Sequence, residues 1–198
     1  MPIKAGNIDQ ILTALDRQIG VHSGTPVGLV VCGGSALAAL GYFNRTTTKD
    51  VDILGTAQKV SGKISVHHLA QLPEWLAESA EKVARDFNLP ESWLNTGPTD
   101  QVKSGLPAGF EDRLHERSYG NYLTVYFISR LDQIHFKLYA SIDRGGYHVE
   151  DLLALKPDES EIEQAAYWTV TQDVSDGFKE VLKDFLGKHD YESIASKI

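Results

Sequence analysis

The 198-residue chain has one cysteine and one methionine, and its 19 lysines and arginines are outnumbered by 27 aspartates and glutamates, for a net charge of -8. Each scarcity excludes something. A single cysteine, Cys32, cannot close an intrachain disulfide, so nothing points to an oxidising compartment. Set in the apolar run Leu29-Val30-Val31-Cys32, it reads as a small buried hydrophobe. A zinc site needs several Cys or His at ligand spacing, and His67-His68 and His135 stand apart from any such pattern. The acidic balance gives no global attraction for phosphate backbones; only a local basic patch could guide RNA or a nucleotide. No apolar run approaches the roughly 18 residues of a membrane span, and the opening MPIKAGNIDQ lacks a signal-peptide pattern. The expectation is a cytoplasmic protein with no membrane partner.

What is present is ordinary in bulk. A hydrophobic fraction of 42% and a charged fraction of 23% suit one well-filled globular domain. NIDQILTALDRQIG predicts a helix, with Ile8, Ile11, Leu12, Leu15 and Ile19 at helical spacing, an Asn7/Gln10 capping box, and Gly20 as its stop. VGLVVC reads as a buried strand, SALAALGYF as a helix and DVDIL as the neighbouring strand. LAQLPEWLAESAEKVARDFNLP holds an amphipathic helix through Trp75, Leu76, Ala80, Val83 and Phe87. ESWLNTGPTDQVKSGLPAG reads as loop, and NYLTVYFIS as a strong strand. LDQIHFKLYASIDR predicts a helix with Leu131, Ile134, Leu138 and Ile142 on one stripe, closed by Gly145-Gly146. HVEDLLAL is a short helix before Pro157, and two more helices follow over 158–172 and 175–186. The order predicts an α/β (α+β) fold: a small mixed sheet flanked by helices over 1–157, with a helical C-terminal extension over 158–198 packed on the same domain.

Two features resist a purely structural account. Gly33-Gly34-Ser35 stands at a strand-to-helix junction, where glycines let a phosphate approach the backbone and the helix start supplies N–H groups. The Ser35 hydroxyl can add a hydrogen bond. Asp50 and Asp52 then interrupt an apolar strand, where carboxylates are costly to bury. Alternation puts them on one face, and two close carboxylates repel unless a cation lies between them. Mg²⁺, with Mn²⁺ as substitute, suits such a pair, because it takes one or two protein carboxylates and leaves its other positions to water and phosphate. A phosphate cradle beside a metal site is the equipment of nucleotidyl transfer. Alone, GGS is a turn and DVD a solvated strand end; their order on strand, helix and strand is what joins them.

Gly33-Gly34-Ser35, a helix, and RTTTKDVDI with Arg45 and Thr48 ahead of Asp50-x-Asp52 resemble the signature of the polymerase-β-like minimal nucleotidyltransferase superfamily. The Arg45-to-Asp52 stretch is similar to that of the AbiEii-like nucleotidyltransferase toxins of type IV toxin–antitoxin systems. FKLYASIDRGGYHVEDLLAL resembles the same group, which has a Lys-Leu-x-Ala-x-x-x-Arg helix followed by an Asp, matched by Lys137, Leu138, Ala140, Arg144 and Asp151. The resemblance covers roughly residues 30 to 170. It implies an NTP substrate and Mg²⁺ on Asp50 and Asp52. Nucleotide binding falls to Gly33, Gly34, Ser35, Arg45, Thr48 and Arg144, and catalysis to Asp50, Asp52, Lys137 and Asp151. It also implies an acceptor hydroxyl on a tRNA 3′ end or a protein, and an antitoxin partner.

The second motif has its own physical reading. Lys137, Ser141 and Arg144 lie at i, i+4 and i+7 of one helix. Lys137 is either a snorkelling lysine or a cation aimed at the triphosphate. Asp151 reads by itself as a helix-start residue favoured by the dipole, and the resemblance makes it an active-site residue that holds Lys137 or the nucleotide; Glu150 reads as solvated. Trp93, Asn95 and Pro107 either shape a nucleotide or acceptor pocket or pack a surface loop, and Arg113 and Arg117 either line an acceptor surface or are solvated. One departure stands out. Larger superfamily members carry a third carboxylate on a later strand, but YLTVYFISR has no acid and Asp132 falls on the next helix. Besides the transferase, the sequence therefore leaves open a non-catalytic nucleotide- or partner-binding protein, and a small-molecule transferase of the aminoglycoside type.

Overall fold

Residues 3–42 and 47–198 are described by a computed structural model. The chain divides into two compact units, 1–129 and 130–198. The break suggested by sequence at 157/158 lies inside the second.

The first unit opens with β1 (Ile3–Lys4), a 3₁₀ turn over Ala5–Asn7 and α1 (Ile8–Val21). Ile8, Ile11, Leu12, Leu15 and Ile19 are buried along one stripe of α1, as their spacing predicts. The Asn7 capping box does not form. Asn7 has helical backbone angles (φ -106, ψ -6) and belongs to the 3₁₀ turn, so its side chain makes no cap bond. Gly20 does not end the helix either. It lies within α1, at a place where a Cβ would meet the Tyr122 ring at 2.7 Å.

Then come β2 (Val27–Cys32), α2 (Gly33–Ala39), β3 (Thr47–Thr48), β4 (Val51–Val60), β5 (Lys63–His67) and α3 (Glu74–Phe87). After them come β6 (Leu94–Asn95), α4 (Gln101–Ser104), β7 (His115–Ser118) and β8 (Leu123–Phe127). The result is a mixed six-stranded sheet in the order β5-β4-β2-β8-β7, with β6 also paired to β4. β2 runs antiparallel to β4 and parallel to β8. β1 and β3 form a separate two-stranded pair.

The sheet is larger than the sequence suggested. DVDIL is only the start of a ten-residue strand, which turns into β5 through Ser61-Gly62. Both turn residues have positive φ, 51° and 82°, as a two-residue turn matched to strand twist requires. The segment expected to be loop contains β6 and α4. Leu29, Val31, Ile53, Val125 and Phe127 from the sheet share one core cluster with Leu12 and Leu15 of α1 and Leu76 and Val83 of α3. Asp16 of α1, itself buried, ties this layer to the sheet: its Oδ1 accepts from the backbone N–H groups of Tyr122 (2.8 Å) and Leu123 (2.7 Å) at the start of β8.

The second unit is helical: α5 (Arg130–Asp143), α6 (Tyr147–Ala154), α7 (Glu159–Gln172), α8 (Asp176–Lys188) and α9 (Glu192–Ala195). α5 is buried on more than one side, through Asp132, Gln133, Ile134, His135, Lys137, Leu138 and Ser141, because α6, α7 and α8 all pack against it. A capping box does form here: Asp158 Oδ1 accepts from Glu161 N–H (2.8 Å), and the Glu161 carboxylate accepts from Asp158 N–H (3.0 Å). Among the described residues, no helix is long and apolar enough to cross a membrane.

Candidate active site

β2 and β4 meet at the point where Asp52 enters the sheet. The pairing begins as Leu29↔Thr56 and Val30↔Gly55, then shifts so that Val31 faces Ile53 and Cys32 faces Asp52. The shift inserts Leu54 as an extra residue on β4. Without it, Cys32 would face Ile53. A one-residue slip of this kind exchanges the faces of all later side chains, so this bulge decides which face of the sheet Asp52 occupies.

Gly33 follows at once. Its φ of +69° turns the extended chain at Cys32 (φ -122, ψ -169) into α2. A Cβ at position 33 would come 2.5 Å from Asp52 Oδ2, and one at position 34 would come 3.1 Å from Thr48 Oγ1. The glycine pair thus lets the turn lie directly against Asp52 and Thr48. Ser35 is fully buried, and its hydroxyl donates to the Cys32 carbonyl at 3.2 Å, so its proton closes the turn. Thr48 Oγ1 donates to the Asp50 carbonyl at 3.2 Å. Asp50 stands just before β4, Asp52 is its second residue, and both are half-buried. Arg45 lies outside the described residues.

On the far side of β4, β6 runs parallel with Val51↔Leu94 and Asp52↔Asn95 in register. Asn95 Nδ2 donates to Asp52 Oδ1 at 3.1 Å. Trp93 and Pro107 are buried, and the Trp93 indole donates to the Ala80 carbonyl at 2.9 Å, which makes Trp93 a core residue. Arg113 Nη1 donates to the Ala108 carbonyl at 2.8 Å. Arg117 pairs with Asp9 at 2.8 Å.

Mg²⁺ characteristically takes one or two carboxylates and completes its shell with water and phosphate oxygens. Asp50 and Asp52 offer carboxylates of that kind, and a Cβ at Gly33 would come 2.5 Å from Asp52 Oδ2. By their donor chemistry these residues would suit the ion. Among the described residues, no group of three or more His, Cys, Asp or Glu could hold a metal. β8 carries no acid, and Asp132 is fully buried in α5 of the second unit.

Within the second unit, Lys137 and Asp151 are both buried, and Lys137 Nζ donates to Asp151 Oδ2 at 2.7 Å. Ser141 Oγ donates to the Lys137 carbonyl at 2.7 Å. Lys137 Nζ also lies 5.7 Å from the centre of the Tyr147 ring, which stacks on His148 with centroids 4.1 Å apart. Burial, then the Lys137 and Arg144 cations, push the His148 imidazole below its ordinary range. Arg144 falls just past the end of α5, exposed and bonded to its neighbour Asp143 at 3.0 Å.

Residues 10–156 match the family described as nucleotidyltransferase of unknown function (DUF6036). The chain belongs to this family. No curated protein and no solved structure matches it. The DUF6036 match takes in the Gly-Gly turn, the Asp50-x-Asp52 strand and the Lys137–Asp151 pair, and it supports nucleotidyl transfer as the general activity. The residue that sequence reading underrated is Asn95: nothing local distinguishes it, and only the pairing of β6 with β4 brings it to Asp52.

Proposed function

We propose that this DUF6036 member transfers a nucleoside monophosphate from an NTP to an acceptor hydroxyl, with Mg²⁺ held by Asp50 and Asp52. The observation that carries the reading is the seating of the Gly33 turn on Asp52, where a Cβ would lie only 2.5 Å from Oδ2. Such contact puts a backbone able to receive phosphate directly beside a metal-binding carboxylate. When bound, the ion would lower the pKa of the acceptor hydroxyl and neutralise phosphate charge. The acceptor hydroxyl gives up its proton to solvent as its oxygen attacks the α-phosphorus, the bond to the β-phosphate oxygen breaks, and pyrophosphate leaves. In this scheme the Gly33-Gly34 backbone binds triphosphate oxygens, while Ser35 and Thr48 hold the turn and the entry to β4 in shape through the Cys32 and Asp50 carbonyls. Arg45 and Arg144 are assigned to the nucleotide, and Lys137 with Asp151 to catalysis, on the family resemblance alone. A tRNA 3′ end or a protein side chain as acceptor, a toxin role and an antitoxin partner rest on the same resemblance.

A second reading is a protein that binds nucleotide or a partner without transferring. It is favoured by the lack, among the described residues, of any group of three metal-binding side chains. A small-molecule acceptor of the aminoglycoside type is the enzymatic alternative. Incubation with each α-labelled NTP, Mg²⁺ and total tRNA or cell extract separates them. Labelled product from the wild type, absent with Asp52→Ala or EDTA, is the expected result, and its size and chemistry identify the acceptor. NTP binding without any product, across metals and acceptors, would leave the non-transferring reading in its place.

A further inference from the structure

Asp52 is bracketed at both carboxylate oxygens: Oδ1 accepts from Asn95 Nδ2 at 3.1 Å, and Oδ2 lies against the Gly33 turn. The Asn95 amide has one orientation. Its Oδ1 accepts from Gly97 N–H at 2.9 Å, and since an N–H must meet an oxygen, the amide nitrogen faces Asp52. The mount is firm as well. Trp93, two residues earlier, is fully buried and bonded to α3, and its carbonyl accepts from Val51 N–H at the start of β4. A two-residue strand so anchored holds Asn95 beside Asp52 in the parallel register.

We infer that Asn95 is a positioning residue of the divalent-cation site, fixing the Asp52 carboxylate so that Oδ2 stays on the side of the Gly33 turn. The inference rests on the reading of Asp50 and Asp52 as cation ligands. Partners that orient a metal-binding carboxylate are commonly worth about 10- to 100-fold in metal affinity. Asn95 is also neutral. A third acid at its place would make a stronger site for a bare ion; with an amide there, the charge of the ion is met by two carboxylates and by the triphosphate it arrives with.

The test measures Mn²⁺ binding to the full chain by electron paramagnetic resonance, alone and with each of the four α,β-methylene NTPs, and the thermal midpoint in EDTA and in Mn²⁺. Wild type, Asn95→Ala, Asn95→Asp and Asp52→Ala are compared. Asn95→Ala is expected to weaken Mn²⁺ binding in the presence of triphosphate by about tenfold or more. Asn95→Asp sets a second acid against Asp52. It is expected to lower the midpoint in EDTA, to regain it in Mn²⁺, and to bind Mn²⁺ without nucleotide more tightly than wild type. Should Asn95→Ala fail to fold, Asn95→Asp alone decides. Unchanged Mn²⁺ affinity in the Asn95 variants, with any midpoint loss indifferent to Mn²⁺, would overturn the inference and make Asn95 a purely structural residue. If Asp52→Ala binds Mn²⁺ and triphosphate as the wild type does, the carboxylate-pair reading falls and takes this one with it. If Asp52→Ala loses binding while the Asn95 variants keep it, only the role of Asn95 falls.

Discussion

Lys137 of α5 and Asp151 of α6 form a buried ion pair, with the ammonium 2.7 Å from the carboxylate. A buried pair of this kind is weak evidence for added stability, but removing one partner strands a charge in a low-dielectric interior. Asp151→Ala is therefore expected to cost about 3–5 kcal/mol, and the double replacement Lys137→Met with Asp151→Leu to cost less than that single change. Urea unfolding of the three proteins measures this. Strictly additive losses would mean that the two charges are not coupled.

Gly33 and Gly62 both have positive φ, +69° and +82°, yet only Gly33 has a neighbour where a Cβ would go. Alanine at either site meets the backbone strain of a left-handed conformation, about 1–2 kcal/mol. Gly33→Ala adds a collision with Asp52. The expected outcome is a larger loss in urea denaturation for Gly33→Ala than for Gly62→Ala, with nucleotide labelling abolished in Gly33→Ala and retained in Gly62→Ala. Equal labelling by the two variants would count against the turn as a phosphate site.

His148 makes the second unit sensitive to acid. Its imidazole is held below the ordinary value of about 6.5 in the folded state, chiefly by burial and then by Lys137 and Arg144. Between the folded and unfolded values the unfolded chain binds more protons, so stability rises with pH across that window. The contribution is complete above about pH 6.5 and is lost as pH falls through the depressed folded value. Urea midpoints at a series of pH values should decline on the acid side of pH 6.5 for wild type and decline less for His148→Gln. Parallel curves would assign the acid sensitivity to other groups.

The helices were legible where burial follows a simple stripe. Ile8 through Ile19 announced α1, and the strands VGLVVC and LTVYF announced themselves by β-branched density. β5 was readable in principle, since Ser61-Gly62 is followed by Ile64 and Val66 in alternation. β7 was not: His115, Glu116, Arg117 and Ser118 have no apolar face, and only hydrogen bonding to β8 makes them a strand. β6 is two residues long, too short for any period, and its partner lies some forty positions earlier. The same limit applied to the candidate site. Gly33-Gly34 and Asp50-x-Asp52 stood out by residue type, whereas the β2–β4 bulge that aims Asp52 and the amide that holds it arise from long-range pairing.

Cys32 is the chain's only thiol, it is buried, and its Sγ lies 3.7 Å from the Asp52 carbonyl across the β2–β4 pair. The protein therefore carries a reporter group at the mouth of its candidate site. A thiol reagent reaches the buried Cys32 when this end of the sheet opens, so at reagent concentrations where labelling outpaces reclosing its modification rate is the rate of that opening. No labelling mutation is needed, and no second sulfhydryl contributes to the signal.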